Sequence, residues 1–437
     1  MASAVIAKEG LPPGPTAPMP LQTLRWTFRP TPFMRECWER YGDVFTIGFG
    51  VDGPMVFIAD PDLIEQIYKA SPTLMHAGEG RMLLEPLVGA NSVLLLDEDP
   101  HMRHRKLMLP AFHGERMKAY RELIAEATER ELARWPRGEA FPVWPSMQAI
   151  TLDVIMRAVF GLEEGERFDR LRDALKRMLD ATQSPLVVFV VLTLRFAVGL
   201  ERTRTNFDKN LALIDELLFE EIRRRRREQD FEGRTDVLSM LMQARDEEGR
   251  EMTDQELRDE LITLLVAGHE TTATTLAWTF ERIVRHPEVL DRLHDDADED
   301  YIDAVMKETL RLRPILPITP RKLMEPMELG GWSLPANAVL APCVYLVHRR
   351  PDVYPEPDRY RPERFLEQPA GTYTWIPFGG GVRRCLGGSF AMFESKVVLS
   401  TVFSRVRLRA ADPRPEHVRR RSITFAPNRG GEVALAA

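Results

Sequence analysis

The sequence predicts a mainly α-helical protein with small β-sheets. Apolar residues recur at helical spacing over long stretches, most clearly at 118–177, at 206–227 and in a segment that begins at Thr253. Two shorter stretches near the N-terminus, 44–49 and 55–58, alternate in the manner of strands and are expected to form part of a small sheet. The chain of 437 residues is long enough for one large domain or for two or three average ones.

Composition narrows the class of protein. Charged residues make up 29% and hydrophobic residues 44%, which is ordinary for a soluble globular protein, and the net charge of -7 gives no reason to expect nucleic acid as a partner. Cys37, Cys343 and Cys385 lie far apart, as free thiols do in a reducing compartment. Residues 1–10 lack the apolar core of a secretory signal, and the apolar run 185–194 is about half of the ~20 residues that span a bilayer. We therefore expect a cytoplasmic protein without a transmembrane anchor.

A glycine-rich turn places one cysteine immediately before a predicted helix. Residues 375–388 read WIPFGGGVRRCLGG, and the helix is expected over 389–403. Glycine permits positive φ and lets the backbone approach a flat object closely. Backbone N–H groups of the turn and of the helix start are expected to point at the Cys385 sulfur, stabilise a thiolate and lower its pKa, while Arg383 and Arg384 add positive charge. A single thiolate without a second cysteine or a nearby histidine suits the axial ligand of a haem iron.

Simpler interpretations of this turn exist. A lone cysteine is usually a small buried apolar residue, and a glycine triplet is usually a surface turn. A phosphate-binding loop would need Lys-Ser or Lys-Thr after its glycines, and this stretch contains neither. The cysteine alone favours a core position, whereas the complete motif favours haem ligation.

The turn resembles the ligand loop of the cytochrome P450 family, whose pattern is Phe-x-x-Gly-x-Arg-x-Cys-x-Gly. Its fixed places are filled by Phe378, Gly381, Arg383, Cys385 and Gly387. The resemblance implies that Cys385 ligates the iron of haem b. The residues of this loop that it implies bind the cofactor are Phe378, Gly379, Arg383, Cys385 and Gly387.

The segment after Thr253 predicts a helix that crosses the core. Thr253 and Glu256 form a capping box, and the helix is expected to run roughly 30 residues, or ~45 Å, ending before Pro287. Its apolar middle is interrupted by residues 267–272, which read AGHETT. Glycine and threonines that bond back to the preceding turn weaken the helix and can open a bulge.

The same resemblance gives this interruption a function. It matches the family motif Ala/Gly-Gly-x-Asp/Glu-Thr in the central helix. The resemblance implies that Ala267 and Gly268 lie against the haem and that Glu270 and Thr271 form the acid–alcohol pair that relays protons to dioxygen. His269 falls on the variable position of the motif and is expected to be structural.

Three basic residues are candidates for holding the haem propionates. His101 and Arg105 are four residues apart on a predicted helix and share a face, which alone could equally be a solvated basic face. The resemblance implies that both donate to propionates, with Arg321 as a further donor, because anions are held best by charge-assisted hydrogen bonds. Arg103 and Lys106 are expected to remain on an exposed basic surface.

A charged triad is expected to be structural. Glu308 and Arg311 lie three apart on one helical face, a pairing that is common on surfaces and worth little there. The resemblance implies a buried Glu-x-x-Arg pair completed by Arg364 of the later Pro-Glu-Arg-Phe segment. Burying one carboxylate with two guanidiniums is costly unless every donor is used, so the triad is expected to hold the loop that carries Cys385.

Several segments are expected to surround the substrate. Residues 84–96 predict a loop over a pocket. The apolar run at 183–199 could be a buried strand by periodicity alone, but its place between two helical stretches favours a lid over the substrate entrance. Its apolar character indicates either a lipophilic substrate or contact with a membrane surface. Residues 422–427 and 432–435 are expected to pair as a late hairpin whose turn touches substrate. The five arginines at 223–227 are expected to face water at a helix C-terminus.

The resemblance spans nearly the whole chain and implies one cytochrome P450 domain over residues 1–437, with 1–15 as an extended proline-rich segment and haem between the central helix and the cysteine loop. It implies a haem-thiolate monooxygenase that hydroxylates or epoxidises its substrate. We expect a monomer that receives electrons from a ferredoxin and an NAD(P)H-dependent reductase, docked on a basic face with Arg103, Lys106 and Arg384. The alternatives are a peroxide-driven oxygenase and a haem-based sensor or carrier.

Overall fold

A computed structural model describes residues 10–49, 53–79, 84–112, 116–161, 165–182, 206–228, 231, 233–296, 298–421 and 423–436. The predicted lid at 183–199 lies outside these residues. Most of the described chain is helical, with short strands between the helices. The predicted fold class is therefore confirmed.

The helices of the described chain differ greatly in length. They are α1 (Met19–Phe28), α2 (Pro30–Tyr41), α3 (Pro61–Lys69), α4 (Glu85–Val88), α5 (Glu98–Met108), α6 (Arg116–Leu132), α7 (Trp144–Phe160), α8 (Glu166–Thr182), α9 (Asn206–Glu228), α10 (Val237–Gln243), α11 (Asp254–Ile283), α12 (Pro287–Asp295), α13 (Glu299–Leu312), α14 (Val344–Val347), α15 (Arg364–Glu367) and α16 (Gly388–Arg405). Short 3-10 turns follow α5 at Leu109–Phe112 and precede α16 at Gly381–Arg383.

The strands among the described residues form four small sheets. They are β1 (Val44–Phe49), β2 (Gly53–Ile58), β3 (Met75–His76), β4 (Ala140–Pro142), β5 (Arg321–Leu323), β6 (Met327–Leu329), β7 (Trp332–Leu334), β8 (Val339–Pro342), β9 (Leu408–Ala410), β10 (Val418–Arg421), β11 (Thr424–Pro427) and β12 (Glu432–Leu435). The largest has the order β1-β2-β8-β5-β3, in which only the β2–β8 pair is parallel. The others are β6–β7, β10–β11 and β4-β12-β9. The predicted N-terminal strands are confirmed.

The predicted late hairpin is wrong. β11 pairs with β10, and β12 pairs with β4 and β9. The turn between β11 and β12 is bonded instead to Glu416, whose carboxylate accepts from the N–H groups of Arg429 at 2.7 Å and Glu432 at 2.8 Å. At Gly431 φ is +71°, and a Cβ there would lie 2.6 Å from the carbonyl oxygen of Ala277, so the turn presses against α11. Close packing on the core directs β12 away from β11.

Helix α11 is the predicted central helix. Its capping box is complete: the Thr253 hydroxyl accepts from the Glu256 N–H at 3.2 Å, and the Glu256 carboxylate accepts from the Thr253 N–H at 2.7 Å. Residues on both sides of its middle, from Leu257 to Leu265 and from Ala273 to Ile283, contribute to the main apolar core, and α11 packs against α7. In its middle Ala267 is exposed and Gly268 is half-buried, although the segment is α-helical throughout. A core-crossing helix thus presents one accessible patch.

The arginine run at the end of α9 is only partly solvated. Arg223 and Arg227 are exposed as predicted, but Arg225 is 1% exposed. Its guanidinium bonds to Glu221 at 2.8 Å, to Asp236 at 3.2 Å and to the Ser239 hydroxyl at 2.6 Å. The prediction that all five arginines face water is wrong because the helix turns this one position toward α10.

The length and hydropathy of each helix show whether it could cross a membrane. Within the described ranges, no helix combines the length and the apolar character that crossing a membrane requires.

Candidate functional site

The cysteine loop is shaped by its glycines. Gly379 and Gly381 have φ of +67° and +62°, which L side chains rarely adopt. A Cβ at Gly380 or Gly381 would overlap Tyr68 of α3, so both glycines allow that helix to lie against the loop. The loop closes where the Cys385 N–H donates to the Phe378 carbonyl oxygen at 2.9 Å. The backbone therefore holds the sulfur in one place.

The Cys385 side chain is accessible although protein surrounds it. Burial raises the pKa of its thiol, and hydrogen bonds from the backbone at Gly387 and Gly388 and the charges of Arg105 and Arg384 oppose this. The predicted lowering of the pKa is therefore wrong for the free thiol, because desolvation outweighs these donors. A thiol that coordinates a metal is deprotonated outright, and the donors then stabilise the thiolate. The position fits an iron ligand.

The other cysteines differ from Cys385 in access. Cys37 and Cys343 are buried in an apolar cluster around β1 and β2, and burial raises the pKa of each thiol to about 12. Cys385 is the exposed cysteine of the three. Access therefore distinguishes the predicted ligand from the two structural thiols.

The guanidinium group of Arg383, in the cysteine loop, lies within electrostatic reach of two others, those of Arg321 and Arg105. Burial lowers the pKa of Arg383 to about 10. The charge of Asp97 raises this pKa, and the charges of Arg321 and Arg105 lower it further. Burial also lowers the pKa of Arg321 and of Arg105. Arg105 lies near Cys385 and donates to the Arg384 carbonyl oxygen at 2.8 Å. A cluster of cations with a single acid fits a group that brings carboxylates, as haem does with its propionates.

The predicted cofactor residues differ in how far they are already engaged. Arg383 donates to the carbonyl oxygens of Val93 and Leu96 and to Asp97. Arg321 donates to the Pro320 carbonyl oxygen at 2.9 Å. His101 is buried one turn before Arg105 on α5. Arg383 therefore ties the loop that follows α4 to the cysteine loop.

Sequence reasoning missed Asp97. Its carboxylate accepts from the N–H groups of Ala77, Gly78 and Glu79 as well as from Arg383. Because its partners are distant in sequence, no local motif marks it.

The predicted exposed basic surface on α5 is wrong for Arg103. Its guanidinium bonds to Asp246 at 2.6 Å and to Glu256 at 2.7 Å, and its side chain is 19% exposed. Lys106 is 61% exposed and pairs with Glu247 at 2.6 Å. Arg103 therefore joins α5 to the start of the central helix, and Lys106 stays on the surface.

The accessible middle of α11 carries the predicted acid–alcohol pair. Glu270 and Thr271 are both half-buried. The Thr271 hydroxyl donates to the Ala267 carbonyl oxygen at 2.7 Å, which is the back-bonding that the sequence predicts. At Gly268 a Cβ would lie 3.1 Å from the side chain of Ile155, so the absence of a side chain allows α7 to pack closely.

The Glu270 carboxylate has a partner that the sequence did not indicate. The Gln148 amide of α7 donates to Glu270 Oε2 at 3.0 Å. The neighbouring His269 is 3% exposed, and its Nδ1 lies 2.9 Å from the Thr151 hydroxyl. Burial lowers the pKa of His269 to about 4, so this ring is neutral at pH 7. Two consecutive side chains of α11 are thus bonded to α7.

The charged triad forms as the resemblance implied. Arg311 donates to both carboxylate oxygens of Glu308 at 2.7 and 2.8 Å, and Arg364 donates to Glu308 at 3.1 Å. Glu308 and Arg311 are each 0% exposed. The remaining Arg311 donors bond to the carbonyl oxygens of His348, Pro357 and Arg359. Burial of these charges is therefore matched by hydrogen bonds.

The site contains two clusters. One is the Cys385 sulfur, fixed by its loop beside cations, and the other is an accessible acid–alcohol pair on a core helix. Together with the fold, they fit a haem protein with a thiolate ligand. The family model described as Cytochrome P450 matches residues 12–430. The chain belongs to the cytochrome P450 family.

Relatives and solved structures agree with this assignment. The protein named cytochrome P450 135B1 of Mycobacterium tuberculosis is 39% identical over 437 residues, covering 98% of this chain and 92% of the relative. Cytochrome P450 135A1 of the same species is 38% identical over 432 residues, covering 98% and 95%.

Two solved structures share the fold. Retinoic acid-bound cyanobacterial CYP120A1 has a TM-score of 0.81 at 21% identity and covers 98% of this chain and 99% of its own. The heme domain of cytochrome P450DA has a TM-score of 0.82 at 22% identity, with coverage of 98% and 97%. The chain is thus a P450 monooxygenase, an oxidoreductase with a haem cofactor.

Proposed function

We propose that this P450 uses haem b to insert one oxygen atom from O2 into a lipophilic organic substrate, by hydroxylation or epoxidation. The observation that carries the proposal is the accessible Cys385 sulfur, held by glycine N–H groups beside a guanidinium cluster. The apolar stretches 84–96 and 183–199 support a lipophilic substrate. The whole chain, 1–437, acts as one domain.

The residues that would hold haem b divide into three groups. Cys385 would ligate the iron, and His101, Arg105 and Arg321 would bind the propionates. The backbone and side chains that would lie against the ring are those of Ala267, Gly268, Phe378, Gly379, Arg383 and Gly387. Haem, when bound, supplies reductive activation of dioxygen, which a thiolate ligand favours.

The chain itself supplies the route for protons. Thr271 keeps its hydroxyl at the accessible patch by donating to Ala267 O, and its oxygen can accept a proton from solvent-linked groups and pass on its own. Glu270 is the acid that would resupply this hydroxyl. Both positions lie on α11, so the helix backbone sets the spacing of the two side chains.

Electrons would come from a ferredoxin reduced by an NAD(P)H-dependent reductase. A small acidic partner would meet Arg384, which is exposed next to Cys385, and Lys106. Arg103 no longer belongs to this face because Asp246 and Glu256 engage it. Cys37 and Cys343, both free and buried, support a reducing cytoplasmic location, where the protein would act as a monomer.

Turnover tests the proposal. A library of fatty acids, terpenoids and steroids is first screened against the haem-loaded protein for a spin-state change in the absorption spectrum. The compound that gives the change is then supplied with ferredoxin, reductase and NAD(P)H, with peroxide alone, or with neither. We expect NAD(P)H consumption that depends on substrate and a product carrying one atom from labelled dioxygen. Product formed with peroxide alone, and not with the ferredoxin system, would contradict the proposal.

A further inference from the structure

A groove on the outer surface runs between α6, α7 and α8 and reaches α11. Its volume is about 640 Å³. Its walls carry charges of both signs, including Arg130, Asp153, Asp169 and Lys176. Apolar side chains such as Phe168 also line the groove, but its charged groups retain their hydration, so the groove can hold water.

The wall of this groove touches the acid of the central helix through one residue. Gln148 lines the groove, and its Nε2 donates to Glu270 Oε2 at 3.0 Å. On the other side of the carboxylate, the Thr274 hydroxyl donates to Oε1 at 3.5 Å, a long bond. The shorter of these two hydrogen bonds therefore ties the carboxylate to α7 beside the groove.

The next residue of α7 is open to the groove. Ala149 is exposed and lines it. A larger side chain at this position would block the part of the groove next to Gln148 without replacing either partner of the Gln148–Glu270 bond. The neighbouring contact between the same helices, Thr151 with His269, lies 2.9 Å apart and joins two buried side chains. This second contact between α7 and α11 serves as a control for the Gln148–Glu270 hydrogen bond.

We propose that Gln148 is a positioning residue for proton delivery: it holds Glu270 where water of the groove between α6, α7 and α8 can protonate it. The inference deepens the proposed function and rests on Glu270 acting as the acid. The proton moves from groove water to the Glu270 carboxylate and then to the Thr271 hydroxyl, and Glu270 is left ionised for the next proton. His269 takes no part, since its ring is bonded to Thr151.

The test needs no identified substrate. Haem-loaded protein in aerated H2O or D2O receives two electrons per turnover from ferredoxin, reductase and NAD(P)H, and reoxidation of the reduced haem by dioxygen is followed as NAD(P)H consumption. The variants are Gln148→Leu, which removes the amide, and Ala149→Phe, which blocks the part of the groove next to Gln148. We expect both to slow reoxidation by about tenfold, less than the ~10²-fold or greater loss typical when a general acid itself is removed, and to raise the solvent isotope effect.

Two controls separate the possible results. Thr151→Val removes the neighbouring hydrogen bond and should leave the rate and the isotope effect unchanged. Glu270→Gln should slow reoxidation at least as much as Gln148→Leu. If Glu270→Gln has no effect, the acid role in the proposed function fails. If Glu270→Gln slows reoxidation while Gln148→Leu and Ala149→Phe do not, the acid role stands and this inference is overturned.

Crystallography gives a readout apart from reaction rate. In crystals of the haem-loaded wild type, ordered water should link the groove to a Glu270 carboxylate oxygen. In Ala149→Phe that water should be displaced while the Gln148–Glu270 hydrogen bond persists. A dry Glu270 in the wild type, or unchanged water in Ala149→Phe, would overturn the groove as the route.

Discussion

His348 Nε2 accepts a hydrogen bond from the Ile376 N–H at 2.9 Å, and Ile376 opens the loop that carries Cys385. The other ring nitrogen lies 3.2 Å from the Arg311 carbonyl oxygen, and Arg311 donates in turn to the His348 carbonyl oxygen at 2.8 Å. The ring is 0% exposed, and burial, helped by the charges of Arg311 and Arg349, lowers its pKa to about 3. A neutral histidine therefore connects the charged triad to the cysteine loop.

Replacing this histidine should loosen the loop. His348→Ala leaves the Ile376 N–H without its acceptor, and an unsatisfied buried group of this kind costs about 1–3 kcal/mol. We expect a lower thermal unfolding midpoint and weaker retention of haem on dilution. Exposed His417 is the matched control, since His417→Ala should change the free energy of unfolding by less than about 0.5 kcal/mol. Equal stability of the two variants would contradict the view that His348 stabilises the cysteine loop.

The free energy of unfolding should decrease as the pH is lowered, because His269 is buried in its neutral form. Its folded-state pKa is about 4, below the ordinary value of 6.5. The unfolded chain therefore takes up a proton as pH falls below 6.5 while the folded chain does not, so this stabilisation is present above 6.5 and lost toward pH 4. At 1.36 kcal/mol per pH unit, His269 should account for about 2 kcal/mol between pH 7 and pH 5.

Chemical denaturation of the wild type and of His269→Gln at several pH values checks this expectation. The variant should show the shallower decline in unfolding free energy over pH 7 to 5. Parallel curves for the two proteins would show that His269 is not buried in its neutral form.

The parts of the site that are local in sequence could be predicted, and those that depend on tertiary packing could not. The glycines around Cys385 and the capping box of α11 act within a few residues, so their pattern is visible in the chain. Asp97 meets Arg383 across 286 residues, and His348 meets Ile376 across 28. No periodicity connects such pairs.

The predictions of the late strand pairing and of the exposed arginines were wrong for the same reason. β12 follows β11 directly but pairs with β4, nearly 300 residues earlier by number, because the intervening turn is bonded to Glu416. Arg225 and Arg103 look like surface cations in sequence, and both find carboxylates on other elements. Sequence shows a charge but not the acid that folding brings to it.

Removing the thiol should change the optical spectrum while preserving the fold. Cys385→Ala takes away the sulfur at the position we assign to the iron ligand, so the reduced carbonyl complex should lose the absorption typical of thiolate ligation. The control is Cys37→Ala, which alters a buried thiol of the N-terminal cluster and should leave that absorption unchanged. Circular dichroism should show the helical content of both variants to be that of the wild type. A thiolate-type spectrum in Cys385→Ala would exclude Cys385 as the ligand.

Breaking the buried triad should be strongly destabilising. Glu308→Gln leaves Arg311 and Arg364 without a carboxylate in a site where Glu308 and Arg311 are each 0% exposed. Removing one partner of a buried ion pair costs about 3–5 kcal/mol. Arg405 and Glu129 form an exposed pair, with side chains 62% and 47% accessible, so Arg405→Ala should cost at most about 1 kcal/mol. Denaturant unfolding compares the two, and similar losses would contradict the structural importance of the triad.

Charge reversal at Arg103 of α5 and at Arg384 of the cysteine loop should have different effects, the first on stability and the second on electron transfer. Arg384 is exposed and Arg103 is bonded to Asp246 and Glu256, so the same substitution has different consequences. Arg384→Glu should slow reduction of the haem by an acidic ferredoxin, most strongly at low ionic strength where charges are least screened, and should leave unfolding unchanged. Arg103→Glu should instead lower stability, because it sets a third carboxylate against two others. Stopped-flow reduction at two salt concentrations and denaturant unfolding measure both effects. A reduction rate in Arg384→Glu that equals the wild-type rate at low salt would exclude this residue from the docking face.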